Sequence, residues 1–262
     1  RSDRDWSSDV CSSDLFEMAI GPGRRFNLRT DTMTRSQAED AQIDVGLRQY
    51  MLRVYNYMAL GVAFTGIISM VVAMNPTVMQ AIVGGPFIWV LFIGILGMGF
   101  VAPKIMMSKS IVAAQACFWI YAAMWGALIA PYFYMYTNES IARVFFITAG
   151  AFAASSLYGY TTKKDLTAMG RFLVMATFGI LISMVVKLFL HSTGLDLLMS
   201  LHVPIIFAGL TAYETQQIKG WYYEGDLGDV VHRKAIFGAF LLYGSFVTMF
   251  VWLMQLFGVA RE

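Results

Sequence analysis

Long apolar stretches follow one another through this chain, and they limit its fold more than any other feature. They run Val54–Met74, Phe87–Val101 (extendable through Met107), Ile111–Ala130, Ile141–Tyr158, Phe172–Leu190, Leu197–Ile218 and Ile236–Gly258. A hydrocarbon core of ~30 Å is crossed by ~20 such residues in a helix. Strands of a membrane barrel would alternate polar and apolar residues, whereas these stretches are apolar on every side with small residues mixed in. A soluble helical bundle would need polar outer faces. Only 14% of the residues are charged, against ~25% in an ordinary soluble domain, and mean hydropathy is +0.60. The spacing predicts an all-α membrane protein with seven transmembrane helices over residues 47–262.

The connections carry the charge. Arg24, Arg25, Arg29, Arg35, Arg48 and Arg53 precede or enter the first stretch. Lys104 and Lys109 follow the second, Lys163, Lys164 and Arg171 follow the fourth, and Lys219, Arg233 and Lys234 precede the seventh. The alternate connections hold no Lys or Arg, leaving Arg143, Lys187 and Arg261 near the opposite face. Basic residues collect in cytoplasmic loops, so the expected topology is a cytoplasmic N-terminus and an outside C-terminus. The expected compartment is the plasma membrane, the inner membrane of a bacterium. Residues 1–15 are polar, do not begin with Met and resemble non-native translated sequence. Residues 16–46 read as a polar cytoplasmic tail.

Little points to catalysis. The sequence holds no P-loop, G-x-G-x-x-G, H-E-x-x-H or G-x-S-x-G motif, and His191, His202 and His232 are scattered. Cys11 and Cys117 make no disulfide framework. A net charge of +2 is too small to suggest nucleic acid as a partner. The expectation is a protein that is not an enzyme and has no resident cofactor.

Three segments carry a resemblance. Leu47-Arg-Gln-Tyr-Met-Leu-Arg-Val-Tyr-Asn-Tyr-Met58 is one. Another runs from Phe146-Ile-Thr-Ala-Gly150 through Ser155-Ser-Leu-Tyr-Gly-Tyr-Thr-Thr-Lys-Lys-Asp-Leu166. The third is Gly209-Leu-Thr-Ala-Tyr-Glu-Thr-Gln-Gln-Ile-Lys219. Together they resemble the bacterial branch of the Bax inhibitor-1 (YccA-like) family. Leu242-Tyr-Gly-Ser-Phe-Val-Thr-Met-Phe250 matches less well. The resemblance implies two layers of three helices around a central seventh. It implies a pH-sensitive calcium leak, or alternatively a non-conducting regulator of a membrane-anchored protease or stress response. The expected partners are membrane lipid, Ca²⁺ or protons as permeant ion, and a membrane protease.

An ionisable side chain inside a membrane helix is costly and is a functional candidate by default. Glu214 is the clearest case, in the sixth apolar stretch shortly before Lys219. The resemblance implies that this position is usually Asp and pairs with a second Asp in the last helix. Two adjacent carboxylates do not both ionise easily, which gives a pH-sensitive gate. Here Ser245 stands where the second Asp belongs. The pair is broken, so altered pH gating and weak, transient Ca²⁺ binding at Glu214 are expected. The resemblance also implies a cationic latch near the end of the second helix; here Lys104 is the candidate. Asp165 is a secondary candidate, with helix capping as its plainer role. Lys187 reads as a side chain snorkelling to the headgroups.

Overall fold

Within lipid, a helix satisfies all its backbone N–H and C=O groups internally, so a run of apolar stretches has few alternatives. The computed structural model describes residues 35–108, 110–189 and 193–261. The expectations for residues 1–15 and for the tail up to residue 34 lie outside the described residues, as do the side chains of Lys187 and His191. The chain divides into two units, residues 1–40 and 41–262, and apart from the first residues of α1 everything below concerns the second.

The described helices are α1 (Arg35–Ala73), α2 (Pro76–Val83), α3 (Phe87–Ser108), α4 (Ile111–Met135), α5 (Asn138–Thr161), α6 (Thr167–Phe189), α7 (Thr193–Gly220) and α8 (Gly228–Phe257). Seven are long and apolar enough to cross a membrane; α2 is the exception. Among the described residues there is no strand, only an isolated bridge between Tyr136 and Ala260.

The helices outrun the apolar stretches at several ends. Polar first turns extend them, and side-chain caps fix where they start. Ser110 Oγ accepts the Ala113 N–H at 3.3 Å, and Thr137 Oγ1 accepts that of Ser140 at 3.3 Å. α1 starts at Arg35, inside the stretch expected to be tail. The 75–86 connection, read from the sequence only as an uncharged loop, contains α2. Asn75 caps it by accepting the Val78 N–H, Pro76 opens it, and Met79 and Ile82 are buried.

α8 lies at the centre. It packs against α3, α4, α5 and α7, and Tyr243 bonds to Thr65 of α1. On one side α3 packs on α4, and α1 joins them through Thr65 and Ser69, whose hydroxyls donate to the carbonyls of Ala122 and Gly126. On the other side α7 packs on both α5 and α6. The small-residue segment 148–156 packs on one face only: Thr148, Phe152 and Ser156 are buried, while Gly150 and Ala153 are exposed. One turn on, Gly159 meets α7 so closely that a Cβ there would stand 2.1 Å from the Ala212 carbonyl oxygen. Small residues permit such backbone approach in lipid-embedded bundles.

Candidate functional site

Glu214 lies on α7 six residues before its end at Gly220, about 9 Å along the axis. α7 and α8 pack side by side, which brings Ser245 opposite. Ser245 is buried, and its Oγ donates to Glu214 Oε2 at 2.7 Å. Glu214 itself is part-buried. Tyr121 of α4 is buried. Tyr121 packs against Phe240 and Tyr243, with ring centroids 4.4 and 5.8 Å away. A Cβ at Gly244 would sit 3.4 Å from Tyr121 Oη, an ordinary van der Waals contact.

Among the described residues no cation pairs with Glu214, and no group of three or more His, Cys, Asp or Glu could hold a metal. One carboxylate and one hydroxyl fall short of the about six to eight oxygens that Ca²⁺ prefers. They suffice to hold a proton or to contact a passing cation. The hydroxyl hydrogen bond offsets part of the cost of keeping a carboxylate among apolar helices.

The next residue on α7 belongs to a different network. Thr215 Oγ1 donates to the Thr211 carbonyl at 2.8 Å, which uses its only hydrogen. Ser156 Oγ, 3.0 Å away, is therefore the donor to Thr215, and Tyr55 Oη donates to Ser156 at 2.6 Å. A directed chain thus runs from α1 through α5 to α7. By the same count of hydrogens, Tyr243 Oη donates to Thr65 Oγ1 at 2.6 Å and Thr65 donates to the Ala122 carbonyl at 3.1 Å.

The model described as "Inhibitor of apoptosis-promoting Bax1" matches residues 47–262. The chain belongs to the Bax inhibitor-1 family. It is 36% identical over 233 residues to protein RP147 of Rickettsia prowazekii, covering 89% of this chain and 98% of that protein. It is 37% identical over 234 residues to a Caulobacter vibrioides protein, covering 85% and 93%. To the Escherichia coli inner membrane protein YbhL it is 34% identical over 236 residues, covering 89% and 98%.

The structure of this Bax inhibitor-1 family protein brings Glu214 and Ser245 together and leaves two other candidates apart. Lys104 is exposed at the end of α3, and Ser108 Oγ donates to its carbonyl. At that end it is Arg233 of α8 that reaches across, donating to the Met107 carbonyl at 3.3 Å. Asp165 is exposed, and its Oδ1 accepts the Thr167 N–H at 2.9 Å as α6 begins. Hydrogen bonds from the Thr167 hydroxyl and backbone hold its carboxyl below the usual range. Lys219 ties α7 to α5, donating to the Tyr160 carbonyl at 3.0 Å. Lys234 bonds to the Trp221 carbonyl at 2.9 Å and to Asp226. Tyr121, Tyr55, Ser156 and Thr65 were not singled out from the sequence.

Proposed function

We propose that the protein is a cation leak, passing Ca²⁺ or protons, gated where Glu214 of α7 meets Ser245 of α8. The reading rests on one observation: the 2.7 Å hydrogen bond joins the two positions at which the family resemblance expects its paired carboxylates. The ionised carboxylate accepts from Ser245 and ties α7 to the central helix. Protonation removes the charge, weakens that bond and biases the two helices toward another packing. Because Ser245 carries no charge, the response lacks the like-charge coupling of an acidic pair. Ca²⁺ held there is transient, with no resident cofactor and no catalysis.

The location that fits is a bacterial inner membrane, supported by the name of the Escherichia coli relative. The orientation that fits places Lys104, Lys163, Lys164 and Lys219 on the cytoplasmic side. That puts the N-terminus inside and the C-terminus outside.

Ion flux in liposomes tests the gate, with Glu214→Gln beside the unaltered protein. The amide keeps the size and an acceptor for Ser245 but cannot titrate. Flux through the unaltered protein is expected to change with pH, and flux through the variant to lose that dependence. Equal flux and equal pH response in both would remove Glu214 from the mechanism. The sparse oxygen set favours a second reading, a non-conducting regulator of a membrane-anchored protease. Liposomes silent for every cation, together with co-purification of a protease, would support it.

A further inference from the structure

Away from the Glu214 contact, α1 and α5 enclose a cavity of about 560 Å³ at the basic end of the bundle. On α1 its wall is the stripe Arg48, Leu52 and Tyr55, which helical spacing places on one face. On α5 the matching stripe is Ala153, Leu157 and Tyr160, with Ser156 beside it. Leu52 and Leu157 are 52% and 63% exposed, so the cavity opens outward, toward lipid, rather than into the bundle.

The wall is apolar except at its basic end. Arg48 lies six residues, about 9 Å of helix, before the apolar stretch that starts at Val54, and therefore at headgroup depth. It is exposed and, among the described residues, has no hydrogen bond or ion pair. A second cation lies against the cavity wall: the Lys219 ammonium sits 4.8 Å from the centroid of the Tyr160 ring that lines the cavity and, among the described residues, bonds to no carboxylate. Lys163 and Lys164 follow α5 at the same end, both exposed. Of the acids at this end, Asp165 accepts from Thr167 and Asp226 from Lys234, and Asp44 precedes Arg48 by about one turn of α1; Arg48, Lys163, Lys164 and Lys219 outnumber Asp44 and Asp165.

An apolar slot open to lipid, with an excess of positive charge at headgroup depth, matches one chemistry. We propose that the α1–α5 groove binds an anionic phospholipid, its acyl chain against Leu52, Ala153 and Leu157 and its phosphate on Arg48. The groove wall also holds the first two hydroxyls of the Tyr55–Ser156–Thr215 chain, so an occupant rests on the network that reaches α7.

The test is native mass spectrometry of the full-length protein in detergent, titrated separately with phosphatidylglycerol, with phosphatidylcholine of the same chains, and with glycerol phosphate. Phosphatidylglycerol should be retained in preference to phosphatidylcholine, and glycerol phosphate should not bind. Arg48→Ala should weaken phosphatidylglycerol retention about fivefold, the share of one interfacial cation. Ala153→Trp should evict the lipid by filling the slot while leaving Arg48 in place. Arg48 is exposed, so its variant is not expected to compromise folding, and unfolding curves of both variants check this directly. Equal retention of the two lipids overturns the proposal, as does an Arg48→Ala protein that binds like the unaltered one. Glycerol phosphate binding as tightly as the lipid overturns it too. So does a dimeric mass abolished by Ala153→Trp, which would make the groove an interface between copies.

Discussion

α8 and α6 are nearly the same helix by composition and opposite ones by position. Their most apolar stretches have mean hydropathies of 1.9 and 2.0, yet 72% of that stretch is buried inside the bundle in α8 and 11% in α6. In water such a difference would be forced by hydrophobicity. In lipid the tails are as apolar as leucine, and what sorts helices is shape and hydrogen bonding. α8 offers both. Ala235, Gly238, Ala239 and Ser245 are small and buried along it, and Tyr243 and Ser245 each bond to a neighbouring helix. α6 keeps its hydroxyls to itself: Thr177 and Ser183 donate back to the carbonyls of Leu173 and Gly179.

If close packing sets position, the same substitution must act oppositely in the two kinds of site. One of the two largest effects belongs to Gly159→Ala, where the added methyl meets the Ala212 carbonyl oxygen of α7. A rigid backbone cannot yield as a flexible side chain does, so a loss of about 2–3 kcal/mol is expected in detergent unfolding titrations. Of the same size is Leu242→Ala at a fully buried position of α8. It should cost about 2–3 kcal/mol through the cavity it leaves, while Ile182→Ala, 65% exposed on α6, should stay within about 0.5 kcal/mol. Smallest and of opposite sign is Gly179→Ala on α6, where nothing lies within 4 Å of a new Cβ. It should raise stability by up to about 1 kcal/mol, the helix-propensity gap between the two residues. Equal costs for Leu242→Ala and Ile182→Ala would break the comparison.

The contrast also explains what could be read beforehand. The seven spans were legible because hydropathy is local, and Glu214 because a charge stands out in an apolar stretch. α2 had a readable start in Asn75–Pro76, but its eight residues are too few to cross a membrane and the segment looked like a plain connection. The centrality of α8 and the role of Ser245 entered only through the family resemblance, since a serine in an apolar helix resembles any other. Tyr55, Ser156 and Thr215 were invisible for the same reason: their meaning depends on which helices are neighbours. Lys104 was offered as a latch by the family resemblance and by its level in the chain, and among the described residues it makes no ion pair with Glu214. Helix rotation decides such contacts, and it is Arg233 that reaches α3.

The central claim is that the Glu214–Ser245 contact controls passage between α7 and α8, and replacing the neutral partner tests it most directly. Ser245→Asp sets two carboxylates face to face at the site of the 2.7 Å hydrogen bond. Measured as cation flux into liposomes across a pH series, the variant is predicted to show a broader pH response split into two steps, since repulsion between the paired carboxylates separates their two protonations. A well-folded Ser245→Asp protein with the flux and pH profile of the unaltered chain would contradict the account.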